Sequence, residues 1–454
     1  MQKNDELIVT IDNLGANGEG VAVLNNMPIF VPFALPNEKV KIKILKVLKN
    51  FCYAKLIEII EPSKDRVAPV CPVFTKCGGC QLQHLSYAKQ LEFKRELVAN
   101  NFKKFANISF NVSDCEPSQN ECGYRNKISL PVGVTKKQVG DQIVTENVLG
   151  LYAINSNRIV PTNTCDITGD WCNKLVCIAL KYLEKSGEKP YDSTMQTGNI
   201  RHLVARFIDG NLMLTIVTKT GKIKSQDLLI NLLKTEFEKF SLFINTNNKN
   251  CNVILGEKFE LIYGESTQKL STFNINYEIS PQSFLQVNID IQNKIYKLVL
   301  DNIENDTDVI NAYSGAGLLT AILSQKAKHI YGIEIVEKAN DNANKLATDN
   351  KITNMTNICA DCSVEMPLLA KKLASDNLMV VLDPPRKGCD EKVLQSILEA
   401  SPKTIMYISC NSATLARDVK ILTDGKKYKI DFIKPFDMFP QTRNVETVIK
   451  LTKI

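Results

Sequence analysis

The chain reads as a multidomain protein. A small OB-like β-barrel comes first, then a mixed α+β middle, then a doubly wound, Rossmann-like α/β domain. Three observations carry this reading. At 454 residues the chain exceeds what one hydrophobic core serves. Its first 61 residues hold short strands punctuated by Gly and Asn turns. From Pro281 onward, apolar strands alternate with helices, the pattern of a parallel sheet covered on both faces. The expected divisions are 1–61, 62–280 and 281–454.

In the first segment, turns fall at Gly15, at Gly18-Glu19-Gly20 and at Asn25-Asn26. Lys39-Val40-Lys41-Ile42-Lys43-Ile44 alternates basic with aliphatic residues, so lysines share one face. OB-like barrels commonly bind oligonucleotides, although in an isolated barrel such a face is more simply a solvated one. Pro62 and Pro69 mark the boundary. Cys71, Cys77 and Cys80 follow, too tightly spaced to be scattered core thiols. A helix over 86–105 comes next and is expected to pack on the C-terminal domain. Residues 124–280 show short strands, turn signals such as Asp209-Gly210-Asn211, and the basic residues Arg125, Lys127, Arg201, His202 and Arg206. Each of these, taken singly, is a surface charge.

In the last segment the strands are VINAY, HIYGIEI, NICAD, LMVVLD, TIMYIS, KIDFIKPF and VETVIKLTK, with helices at 317–327, 337–349, 390–400 and 412–423. The first strand empties into Ser314-Gly315-Ala316-Gly317, where glycines let the backbone approach a ligand. Glu334 ends the second strand and suits a ribose diol. Asp361 follows the third and suits an adenine amine. Taken singly, each carboxylate reads as a helix cap. Dinucleotide and S-adenosylmethionine sites share this layout, and Thr320 in place of the third dinucleotide glycine favours the latter. TIMYIS runs into Ser409-Cys410-Asn411, just ahead of a helix whose N-terminus is expected to lower the Cys410 thiol's pKa. Asp383-Pro384-Pro385-Arg386-Lys387-Gly388 follows another apolar strand, and Glu446 lies further on. A nucleophile, a rigid acidic loop and a base thus come from strand ends of one sheet.

Composition narrows the setting. The 56 Lys and Arg against 49 Asp and Glu give +7, so any polyanion site depends on clustering. The opening MQKNDELIV has no basic stretch followed by an apolar run, and no secretory signal is expected. No uncharged apolar run reaches the ~20 residues of a membrane helix. A cytoplasmic monomer with no membrane association is expected. In that compartment the 14 cysteines argue against a disulfide scaffold.

The motifs, in order, resemble the RNA (uracil-5-)-methyltransferases, in particular the iron–sulfur, TRAM-containing branch acting on 23S ribosomal RNA. GANGEGVAV and IFVPFALPNEKVKIKI resemble a TRAM domain. CPVFTKCGGCQLQHLSYAKQLEFK resembles the cluster segment, and CGYRNKISLPVG, SPQSFLQVN, NAYSGAGLLT, VLDPPRKG, SCNSATLARD and MFPQTRNVETV complete the series. The resemblance implies Cys410 as nucleophile at uracil C6, Glu446 as the base that removes the C5 proton, and Asp383 on the uracil edge. It implies S-adenosylmethionine bound by Gln286, Tyr313, Gly315, Glu334, Asp361 and Asp383. It also implies a [4Fe–4S] cluster on Cys71, Cys77, Cys80 and Cys165, whereas spacing alone allows zinc equally. Radical chemistry would want a different cysteine spacing. The expected partner is 23S ribosomal RNA, with the target base flipped from its stack. Arg386 and Lys387 are candidates for a phosphate.

Asn311, Asn444 and Asn157 depart from the family pattern, which often has Asp at the first and His at the other two. Three other readings compete. A tRNA uracil-5 methyltransferase typically lacks the barrel and the cysteine segment. A cytosine-5 enzyme places a cysteine directly after Asp-Pro-Pro, where this chain has Arg386. A non-catalytic iron–sulfur RNA-binding factor would not need Cys410, Asp383 and Glu446 together.

Overall fold

A computed structural model describes residues 1–373 and 377–454. The chain forms two compact units. The first comprises Met1–Tyr87, Asn120–Gln268 and Pro440–Arg443, and the second Ala88–Gln119, Lys269–Phe439 and Asn444–Ile454. The expected divisions at 61/62 and 280/281 follow chain order, whereas compactness groups segments distant in sequence.

Within the first unit, residues 6–61 form a six-stranded sheet around an aliphatic core. The alternation in Lys39–Val47 does what the pattern predicts. Val40, Ile42 and Ile44 are fully buried, each worth roughly 1.5–3 kcal/mol of transfer free energy. The lysines between them face outward, and two are engaged by carboxylates, Lys39 with Glu61 at 3.1 Å and Lys41 with Glu6 at 2.9 Å. Asn25 and Asn26 both take positive φ, 52° and 60°, closing the two-residue hairpin between Gly20–Leu24 and Met27–Val31. The rest of the unit is a seven-stranded sheet with the helix Asp170–Ser186 among the residues of its core.

The second unit is built on another seven-stranded sheet. Across it lie, in order, Met355–Cys359, His329–Glu334, Asp308–Ala312, Leu378–Leu382, Thr404–Ser409, Glu446–Lys453 and Tyr428–Phe436. The first five are parallel, Glu446–Lys453 runs antiparallel to them, and Tyr428–Phe436, antiparallel to Glu446–Lys453, runs with the first five again. Leu378–Leu382 and Thr404–Ser409 are buried throughout, which is why they read as unbroken apolar runs. Chain order reverses between Asp308–Ala312 and Leu378–Leu382. Such a switch point opens a crevice at the strands' carboxyl ends, and the loops leaving these two strands begin at Tyr313 and Asp383.

The helix Tyr87–Asn101 and its continuation Phe102–Ala106 match the expected helix. Its chief anchor is Lys94, wholly buried, which forms an ion pair with the equally buried Asp437 and donates to the Phe439 carbonyl at 3.0 Å. Asn101 Nδ2 donates to Ser412 Oγ at 2.8 Å, at the first residue of the helix that follows Cys410. Among the described residues, no helix is long and apolar enough to cross a membrane.

Removing only one partner of the Lys94–Asp437 pair strands the other charge in the core. Lys94→Ala should therefore cost about 3–5 kcal/mol and lower the thermal midpoint. The double variant Lys94→Met/Asp437→Leu should recover most of that loss in the same calorimetric scan.

Candidate active site

Cys410 closes the strand Thr404–Ser409, Asp383 leaves Leu378–Leu382, and Glu446 opens Glu446–Lys453. The sheet brings these three groups within electrostatic reach. Burial raises the Cys410 thiol above its ordinary range, Glu446 and Asp383 raise it further, and the Arg386 guanidinium opposes them. This corrects the expectation of a lowered thiol. The helix Ser412–Thr423 begins beyond the cysteine, and its N-cap Asn411 supplies its own acceptor to the Ala413 N–H at 3.1 Å. Loss of water dominates at the sulfur.

The two carboxyls are shifted for the same reason. Asp383 is partly exposed as a residue, yet its carboxyl is enclosed by protein and is pushed up to about 7. Glu446, 3% exposed, is held well above the carboxylate range by burial, with Asp383 adding and Arg386 subtracting. Two carboxyls raised in this way by burial suit proton transfer near neutral pH. Tyr296 and Tyr277 also lie in this neighbourhood. The Tyr296 hydroxyl is raised by burial and then by Asp383, Tyr277 and Glu446. Sequence reading missed both tyrosines, and the helix Ile289–Asp301 that carries Tyr296 was not among the expected elements. The capping Asn288 ahead of that helix was the available signal. Arg386, a candidate for a phosphate, also acts on the thiol and Glu446, while the exposed Lys387 pairs with Asp390 at 3.5 Å.

At the switch point, Tyr313 takes φ +63°, and Gly315 and Gly317 take +56° and +82°. A Cβ on Gly317 would sit 2.6 Å from Ala343 Cβ, so this glycine serves helix packing. A Cβ on Gly315 would meet nothing within 4 Å, so the backbone there borders open space. Glu334 braces the turn by accepting from Gly315 N–H and Val336 N–H, both at 2.9 Å. Each carboxylate oxygen can accept a second bond. Asp361 caps the helix Cys362–Leu373 through Ser363 N–H at 2.8 Å, which holds its carboxyl below the usual range. Gln286 precedes the helix Ile289–Asp301, two residues after Phe284, which is 80% exposed. Asn311 donates to Thr320 Oγ1 at 2.9 Å. The two positions that depart from the expected Asp and Gly are therefore partners. Asn444 and Asn157 are exposed.

In the first unit, Cys71, Cys77, Cys80 and Cys165 are close enough to oppose one another's ionisation. Burial pushes Cys80 up to about 12, with the other three adding. Yet among the described residues no three His, Cys, Asp or Glu side chains converge in a way that could hold a metal ion. Thus the expected four-thiolate ligand set is near-neighbouring but not assembled. Gly79 N–H donates to Cys77 Sγ at 3.3 Å, and Cys165 is drawn to Thr168, whose N–H and hydroxyl hydrogen-bond with it.

Comparison with known proteins agrees with this architecture. A family described as tRNA (Uracil-5-)-methyltransferase matches residues 227–454, and the TRAM domain matches residues 2–57. An uncharacterized RNA methyltransferase of Clostridium acetobutylicum is 38% identical, over all of this chain and 98% of its own length. One from Listeria monocytogenes is 37% identical, over 99% and 98%. The crystal structure of Pyrococcus abyssi tRNA (uracil-54, C5)-methyltransferase with S-adenosyl-L-homocysteine superposes with a TM-score of 0.76 at 25% identity, over 98% of this chain and 100% of that one. Fold and matches define the class as an RNA methyltransferase with a TRAM barrel and a Rossmann-like catalytic unit. Within that class, the chain belongs to the uracil-5-methyltransferase family. Because the match to the tRNA enzyme spans nearly the whole chain, the barrel does not separate tRNA from ribosomal RNA enzymes as expected.

The Asp383 shift yields a stability prediction. Between its ordinary 3.8 and about 7, the folded chain holds a proton that the unfolded chain has released. The contribution is full below 3.8 and is lost as pH rises through 7. Asp383→Asn carries no such titration. Its stability relative to wild type should climb from about pH 4 to about pH 7 and then level off, as read by urea unfolding at each pH.

Proposed function

We propose that this chain transfers a methyl group from S-adenosylmethionine to C5 of a uridine in 23S ribosomal RNA, through a covalent adduct between Cys410 and uracil C6. The observation that supports this most is the enclosure of Cys410, Asp383 and Glu446 together at the sheet edge beside the switch point. Uracil C5 is a poor carbon nucleophile unaided. The Cys410 thiolate adds at C6, forming an S–C6 bond and moving the ring electrons into a C5–C4–O4 enolate. S-Adenosylmethionine supplies the electrophilic methyl that C5 takes, and leaves as S-adenosylhomocysteine. Glu446 then removes the C5 proton. The electron pair restores the C5–C6 double bond and expels Cys410. Asp383, protonated below about pH 7, donates to the uracil edge. Gly315, Glu334, Tyr313, Gln286 and Asp361 hold the cofactor. Open space before Gly315 and the spare acceptor capacity of Glu334 fit a ribose and its backbone neighbours.

RNA binding rests on the TRAM barrel and on the central sheet, where Lys127 stands opposite Arg206. Burial, with Arg206 and Arg125 alongside, pushes Lys127 down to about 8, and a phosphate would relieve that crowding. A tRNA substrate is the second reading, favoured by the Pyrococcus superposition. The [4Fe–4S] reading rests on four thiols whose mutual repulsion a bound cation would offset. Iron and acid-labile sulfide in anaerobically prepared protein, absent from Cys77→Ser, would support it. Protein free of both would end it.

Trapping on 5-fluorouridine RNA tests the chemistry, because fluorine blocks proton removal from C5. Wild type with S-adenosylmethionine should form a denaturation-stable adduct on 23S fragments, and Cys410→Ala none. An adduct on tRNA alone would transfer the assignment to the second reading. Because the thiol is raised, the trapping rate should still be climbing above about pH 9, where an ordinary thiol levels off. For the cofactor site, Gly315→Ala should cost about 1–2 kcal/mol of backbone strain and weaken S-adenosylmethionine binding in calorimetry. Gly317→Ala, which meets Ala343 as well, should lose more stability.

A further inference from the structure

Beneath the candidate site lies a buried network that the proposed reaction does not use. Asp418, on the helix Ser412–Thr423, is wholly buried. Its Oδ2 accepts from the Tyr407 hydroxyl at 2.6 Å and from the Cys389 N–H at 2.9 Å. Its Oδ1 accepts from Arg417 Nε at 2.8 Å and pairs with Arg417 Nη2 at 2.7 Å. Arg417 Nη2 in turn donates to the Lys387 carbonyl at 3.0 Å. Two further bonds tie the same loop to the nucleophile side, Asn411 Nδ2 and Thr414 Oγ1 to the Arg386 carbonyl at 3.2 and 3.3 Å.

Four of these bonds end on backbone groups of residues 386–389, the continuation of the Asp383 loop, while Tyr407 and Arg417 hold Asp418 itself. Pro384 and Pro385 stand between Asp383 and the anchored residues, and their locked φ angles transmit the anchoring to Asp383. Gly388 shows how close the approach is. A Cβ there would lie 2.5 Å from Asp418 Oδ2 and 2.7 Å from Arg417 Nη2, at φ +80°. The network also reaches the cofactor loop, since the Cys389 thiol hydrogen-bonds with the hydroxyls of both Tyr407 and Tyr313.

We propose that Asp418 is a positioning residue that sets the Asp383 loop, the Cys410 helix and the Tyr313 turn in mutual register. It touches no reacting atom. A carboxylate with three partners is well suited to this, because each charge-assisted bond is short and directional and Asp418 itself is shut off from water, although the Arg417 guanidinium is half exposed. The inference rests on the uracil-5 reading for its kinetic consequence, but not for its geometric one.

The test compares full-length wild type, Asp418→Asn, Tyr407→Phe and Gly388→Ala. Four readouts are taken: thermal midpoint, S-adenosylmethionine affinity, the pH profile of Cys410 alkylation by iodoacetamide resolved by mass spectrometry, and kcat and KM on RNA. Displacing a catalytic group by about an ångström costs on the order of 10²-fold. Asp418→Asn is expected to lose kcat on that scale with little change in KM for RNA. Its Cys410 alkylation profile should shift, and its S-adenosylmethionine binding should weaken through Tyr313. Tyr407→Phe and Gly388→Ala should move the same readouts less. Variants with a lowered thermal midpoint but wild-type kcat, affinity and alkylation profile would overturn the proposal and leave Asp418 merely structural. If Asp418→Asn does not fold, the other two variants decide by the same readouts. If wild-type protein methylates no RNA, the function reading fails, while a shifted alkylation profile and weakened cofactor binding would still uphold the positioning role.

Discussion

The carboxyls of Asp383 and Glu446 and the thiol of Cys410 are stripped of water in one place, and beyond that burial Asp383 raises the cost of ionising Glu446 and both carboxylates raise that of Cys410. The Arg386 guanidinium works against this accumulation at Glu446 and at the thiol. Much of the catalytic unit serves that crowding. Neighbouring strands, the fourth to sixth of the sheet, bring the three groups to one end of it, prolines stiffen the loop that leaves Asp383, and the buried Lys94–Asp437 pair holds the first helix to the chain just ahead of Glu446. Relaxing the crowding, as Asp383→Asn does, exchanges reactivity for stability. Functional sites of this kind are held in place by structure elsewhere.

The strands of the catalytic sheet were legible, most plainly Leu378–Leu382 and Thr404–Ser409, where burial on both faces leaves a largely apolar run. Two of its helices were not. Cys362–Leu373 carries Pro367 inside it, which the usual rules read as a break, and its length is held by the tertiary setting. Ile289–Asp301 was hidden in a stretch read only for its SPQSFLQVN motif, and with it went Tyr296. Motifs revealed Cys410, Asp383 and Glu446 as residue types in order. The direction of the thiol's shift was not legible, because it depends on how much protein surrounds the sulfur, a quantity no local pattern encodes. Asp361 illustrates the opposite case: its side chain is used locally, as the helix cap that a single acidic residue in that position most simply suggests.

The cysteine segment belongs to the first unit and differs from the catalytic sheet in kind. Its four thiols oppose one another's ionisation without forming a ligand cage, so the chain tolerates them as neutral, largely buried groups. Spacing along the chain grouped Cys71, Cys77 and Cys80, the resemblance added Cys165, and side-chain geometry says that the four have not closed. The barrel tells a similar story at the level of charge. Alternation foretold a lysine-bearing face, and the structure spends part of that face on Glu6 and Glu61. Patterning assigns side chains to a face, but their partners come from strands distant in sequence.

The division into units has a bearing on synthesis. The chain passes from one unit to the other at 87/88, 119/120, 268/269, 439/440 and 443/444. Each unit therefore waits on residues far along the chain, the first on Pro440–Arg443 and the second on Asn444–Ile454. The strand Glu446–Lys453, inserted between Thr404–Ser409 and Tyr428–Phe436, is the final piece of the sheet and brings the Glu446 carboxyl with it. A chain halted short of that strand would hold Cys410 and Asp383 without Glu446, so the three groups come together only once residue 446 has been added.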